Sequence, residues 1–219
     1  AQGARTVVSE IGVLQTTLLG HAARDIAQGT ADIVLVAGAE AKYRALRAQI
    51  TGVEAEFSAQ EEIEPDLVLR PQGDILHPLE IQQGLVMPVQ QYSMIENALR
   101  AHEGLSIGAH RDEVARLWSA MSDVAAKNPE AWNRVPISAQ AIRDPGDGNR
   151  MLAFPYTKHH NSQWNVDQGA ALLLCSAETA RRAGVPEDRW VYPWSAAESN
   201  HMLTMCERAT PYASPGFEI

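Results

Sequence analysis

Apolar and polar residues alternate in blocks whose period changes along the chain, and the period predicts the elements. ARTVVSEI (4–11) reads as a β-strand that begins almost at once. In GVLQTTLLGHAARDIAQG, Leu14, Leu18, Ala22 and Ile26 recur every four residues and share one helical face, and Gly29 ends the helix. After the turn residues Thr30 to Asp32 comes IVLVAGAE, a continuous run of apolar and small residues, as expected of a strand buried on both faces of a layered sheet. Strand, helix, strand predicts a right-handed parallel crossover. A second unit follows the same order: QGAALLLCS (Gln168 to Ser176), the helix AETARRAG, and RWVYPW (Arg189 to Trp194) as a strand, with Pro186 between helix and strand.

The stretch from Ala41 to Trp164 has another texture. Glu54 to Glu64 is acidic and poor in apolar residues, and Pro65 and Pro71 flank a short LVLR run. Helices are predicted over Val89 to Glu103 and Ala109 to Lys127, the second with Val114, Leu117, Trp118 and Met121 as its core face. Prolines and glycines recur from Asn128 to Tyr156, which predicts an irregular segment on the surface of the sheet layers. The reading is a helical insertion between two strands of one sheet. The abrupt first strand and the polar tail after Trp194 suggest a segment of something longer; a processed start with a flexible tail is the alternative.

Composition narrows the classes. In 219 residues, 18 Lys and Arg stand against 27 Asp and Glu, a formal charge of −9, which repels phosphate backbones and anionic lipids. Nucleic acid and membrane partners are therefore not expected. Two cysteines, Cys175 and Cys206, make no disulfide framework and suit a reducing, cytoplasmic compartment. No run of about 18 apolar residues marks a membrane span, and the first residues lack the shape of a signal peptide.

The run GVLQTTLLGHAARDIAQGTADIVLVAGAEA resembles the helix and following strand of the thiolase superfamily, enzymes that handle acyl-CoA. LVMPVQQYSMIENALRAHEGLSIGAHRDEVARLWSAMSDVAAKNP is similar to the thiolase loop domain, and FPYTKHHNSQWNVDQGAALLLCSAETARRAGV to the segment returning from it into the sheet. NRMLAFPYTK, NVDQGAA and GVPEDRWVYP most resemble bacterial thiolase-like proteins of the acetyl-CoA acetyltransferase kind. The resemblance covers the whole chain. It implies an α/β, thiolase-like αβαβα layered fold, incomplete here, with a helical loop-domain insertion. Residues 1–40 would be part of the N-terminal half, 41–164 the insertion, 165–185 the return strand and helix, and 186–219 the start of the C-terminal half. The implied activity is acyl transfer of the acetyl-CoA acetyltransferase type, with the His-bearing and second Cys-bearing loops in the missing half, so that this chain alone is not a competent enzyme. The alternatives are a non-catalytic acyl-CoA-binding or assembly subunit and an aldolase-type carbon–carbon lyase of the same superfamily.

The nucleophilic cysteine of thiolases stands at a helix N-terminus, where backbone N–H groups and the helix dipole stabilise the thiolate. Counting back without gaps places that position at Gly12, and there is no cysteine before Cys175. The covalent step therefore lacks its usual nucleophile in this segment. Cys175, at a strand end, reads as a small hydrophobe, and Cys206 as structural or weakly reactive. By the resemblance Met87 lines the acyl pocket, Tyr156 stands as a catalytic acid or base in the manner of aldolase-type members, and His160, Asn161 and Ser162 contact the CoA thioester. His159 and His160 are adjacent and point apart, so no metal is expected. Asp144 and Asp147 read as turn residues. Arg5, Lys42, Arg44 and Arg47 are candidates for a phosphate-facing rim. The resemblance further implies acyl-CoA as substrate, no resident cofactor, a homodimer formed through the first strand, and a small partner protein with an oligonucleotide-binding-type fold.

Overall fold

The computed structural model describes residues 3–56, 64–198 and 203–214. In chain order the elements are β1 (Val7–Ser9), α1 (Gln15–Ala27), β2 (Ile33–Ala41), α2 (Lys42–Thr51), β3 (Leu67–Leu69), α3 (Pro78–Gln82), α4 (Pro88–His102), α5 (Ile107–Lys127), α6 (Ala139–Arg143), β4 (Met151–Ala153), β5 (Tyr156–Thr157), β6 (Asp167–Cys175) and α7 (Ala177–Arg182). The chain is mixed α/β, with small two-stranded sheets among the described residues. Its contacts divide the described residues into two compact units, residues 3–56 and 64–73 with 163–198, and residues 74–162 with 203–214. Residues 41–56 and 64–73 pack with the first unit, and residues 203–214 with the second. Most of the acidic Glu54 to Glu64 stretch, residues 57–63, lies outside the described residues.

In the first unit Leu18, Ala22 and Ile26 of the helix stripe turn inward as their spacing predicts, while Leu14, the N-cap residue, is exposed. α1 packs on β2 and β6 with Ala22 only 3% exposed. β2 pairs with β6 antiparallel over nine positions, from Ile33 opposite Cys175 to Ala41 opposite Asp167. The crossover expected between β1 and β2 is not formed. Instead β1 pairs in parallel with β3, the LVLR run, Val7 opposite Leu67. Asp66 directs this pairing: its carboxylate accepts the backbone N–H of Thr6 at 2.6 Å and the Thr6 hydroxyl at 3.0 Å, tying the start of one strand to the start of the other. Those two hydrogen bonds hold the Asp66 carboxyl below its ordinary pKa.

Two further expectations are corrected here. β2 is not buried on both faces; Leu35 is 64% and Ile33 52% exposed, because only alternate residues meet the helix layer. RWVYPW forms no strand. A single 3-10 turn, Glu187–Arg189, leads into extended backbone without a ladder, and Trp194 is 96% exposed. The aromatic character that suggested a strand serves a local purpose: Trp190 donates its indole N–H to the Val185 carbonyl at 3.1 Å and lies beneath the Arg181 guanidinium at 5.1 Å. Downstream of β6, Ser176 caps α7 by accepting the Thr179 N–H at 3.1 Å.

The second unit is built on α4 and α5, whose observed bounds lie within two residues of those expected. Ser106 caps α5 by accepting the Ala109 N–H. The inward face of α5 is rotated from the predicted one: Leu117 and Met121 are exposed, while His110 and Ala115 are buried. Small residues explain the rotation. Ala115 lets α6 approach, Ser119 donates to the Ile137 carbonyl at 2.9 Å, and Ser122 accepts the Ile137 N–H at 2.9 Å. The proline-rich segment before α6 is thereby fastened to the helix by its backbone. The β4–β5 hairpin turns at Phe154 and Pro155, and Asn97 of α4 donates to the Phe154 carbonyl at 2.9 Å. That bond sets the hairpin against the helix one residue from Glu96.

Candidate functional site

Three elements of the second unit converge on one carboxylate. Glu96 projects from α4, His110 from the first turn of α5, and Tyr156 from β5. The Tyr156 hydroxyl donates to Glu96 Oε2, and Glu96 Oε1 lies 2.7 Å from His110 Nε2. A carboxylate only accepts, so both neighbours donate to it and His110 carries its shared hydrogen on Nε2. His110 is 4% exposed, and its Nδ1 is buried without a partner among the described residues. Tyr156 is half-buried; burial, then the hydrogen bond to Glu96 and its negative charge, push the phenol well above its ordinary pKa. The phenol is therefore neutral and its hydrogen is aimed at Glu96.

The loop that follows Tyr156 is held just as tightly. The Tyr156 and His160 rings lie 5.7 Å apart, and Trp118 of α5 lies 6.3 Å from His160. His160 is buried, and its Nδ1 accepts the Thr157 backbone N–H at 3.1 Å. Burial, then the nearby Arg111 guanidinium, push this imidazole down to about 4, so it is neutral with its hydrogen on Nε2. Thr157, fully buried, donates its hydroxyl to the Ile142 carbonyl at 2.7 Å. Asn161 donates its side-chain N–H to the Thr157 carbonyl at 2.8 Å. Ser162 is exposed at the loop end.

Beneath the loop lies Asn149, buried to 4% exposure, with no counterpart in the sequence reading. Its Nδ2 reaches the carbonyls of Ala141, Ile142 and Asp144 at 2.8 to 3.1 Å, and its Oδ1 accepts the His159 N–H at 2.9 Å. One side chain thus binds the end of α6 to the histidine turn. Asp144 proves to be more than a turn residue: it takes a two-pronged hydrogen bond from Arg143 at 2.8 and 3.0 Å, which holds its carboxyl below the ordinary range. Asp147 does sit in a tight turn, closed by backbone hydrogen bonds between Gly146 and Asn149. Arg143 also binds Asp112, and a groove of about 550 Å³ between α5 and α6 is lined by Asp112, Arg116, Gln140 and Arg143. Tyr156, His160, Asn161, Ser162 and Met87 do not line it.

The remaining expected positions fall elsewhere. Met87 precedes α4 as its N-cap residue, 47% exposed, with its backbone N–H accepted by Gln90 at 3.0 Å. Gly12, in the first unit, has φ +100°, a conformation that favours glycine, and stands two residues before the Leu14 N-cap of α1. Arg5 pairs with Asp25 at 3.6 Å and Lys42 covers the Trp164 ring at 3.9 Å, so these cations are engaged locally. Glu96 was within reach of sequence reasoning: Tyr92, Glu96 and Leu99 share one face of α4, and a carboxylate on a stripe with Tyr and Leu calls for a partner.

No family model matches the chain, and no curated protein matches it. Among solved structures it is similar to a monomeric SCP2-thiolase like protein type 1 from Mycobacterium smegmatis, with 31% identity and a TM-score of 0.68. The match covers 94% of this chain and 37% of that one, so the chain spans well under half the length of the structure it matches. The fold is thiolase-like. No helix among the described residues is long and apolar enough to cross a membrane.

Proposed function

We propose that the chain serves an acyl-CoA-handling, thiolase-like protein of the acyltransferase type, with a coenzyme A thioester as substrate and no resident cofactor. The observation that carries this reading is the likeness to an SCP2-thiolase like protein along 94% of the chain at 31% identity. The fuller αβαβα layering and the acetyl-CoA acetyltransferase subgroup belong to the same proposal. Within it, His160 and Asn161 shape the loop beside the thioester through their hydrogen bonds to Thr157, with Ser162 at its exposed end and Met87 toward the acyl chain.

A second reading, a carbon–carbon lyase that works through tyrosine, is favoured by Tyr156 held against Glu96. The positive φ of Gly12 favours a third, a non-catalytic binding subunit, because a thiol-bearing residue is strained there. A radiolabelled acetyl-CoA assay separates them: covalent labelling of the protein supports acyl transfer, cleavage of a β-hydroxyacyl-CoA without labelling supports the lyase, and binding with neither supports the subunit. Gel filtration with light scattering tests the proposed homodimer against the monomeric state named for the matched structure.

A further inference from the structure

We draw no further inference here: the strongest candidate, the groove between α5 and α6 lined by Asp112, Arg116, Gln140 and Arg143, carries nothing, because Arg143 is already paired with Asp112 and Asp144 and nothing in the structure shows what covers the groove.

Discussion

Glu80 accepts the backbone N–H of Cys206 at 2.8 Å, joining α3 to a segment 126 positions away, although its side chain is almost wholly buried. The same carboxylate accepts the His77 N–H at 3.1 Å. Burial pushes its pKa up, but the Cys206 and His77 donors outweigh this and hold it below the ordinary value. A lowered folded pKa stabilises the fold above the unfolded pKa, and that contribution is lost as pH falls through the folded one. Glu80→Ala strands two backbone donors and is expected to cost about 1–3 kcal/mol. Native-state hydrogen exchange should then show the Cys206 amide exchanging faster; unchanged exchange would mean that the segment is held by other contacts.

Asn149 offers a sharper substitution. Asn149→Asp keeps the shape but replaces a donor facing three carbonyls with an acceptor. Expected is a loss of about 3 kcal/mol or more in a urea titration, at least as large as that of Asn149→Ala. An aspartate as stable as the wild type would show that the clamp contributes nothing.

His160 makes stability depend on acidity. Its folded pKa, about 4, lies below its unfolded value of 6.5, so the unfolded chain binds the extra proton first. The contribution is complete above pH 6.5 and is lost as pH falls toward 4. His160→Asn, whose side-chain oxygen can still accept the Thr157 N–H, should flatten this limb of the stability curve. His160→Ala should also flatten it while costing about 1–3 kcal/mol at neutral pH, since the Thr157 N–H loses its acceptor.

Gly12→Cys puts a thiol where the resemblance to thiolases would count one, and also a Cβ at φ +100°. Backbone strain of about 1–3 kcal/mol is expected, with no gain of covalent acetyl labelling from acetyl-CoA. Labelling of the introduced thiol would show that the turn relaxes into a helix N-terminus and that the glycine is dispensable.

How much of this was legible in the residues depends on the range of the interaction. α1, α4 and α5 follow from period, and β2 and β6 from continuous apolar runs, because both are local properties of the chain. Which strands pair is decided over long separations: the partner of β1 is LVLR, chosen by Asp66 sixty residues on, and RWVYPW finds no ladder among the described residues. The α5 face departs from expectation because apolar rank favours Leu117 and Met121, whereas close approach favours Ala115 and the serines. In the site, the closeness of Tyr156 and His160 was readable from four residues of sequence. Glu96, His110, Asn149 and Glu80 act on partners brought near only by folding, and their signal is a polar side chain within an apolar stripe.

The central proposal is that a coenzyme A thioester binds this thiolase-like chain, and titration calorimetry with acetyl-CoA tests it most directly. Saturable binding, competed by free coenzyme A, is the predicted result. A flat titration up to millimolar acetyl-CoA, with the protein folded by circular dichroism, would contradict it.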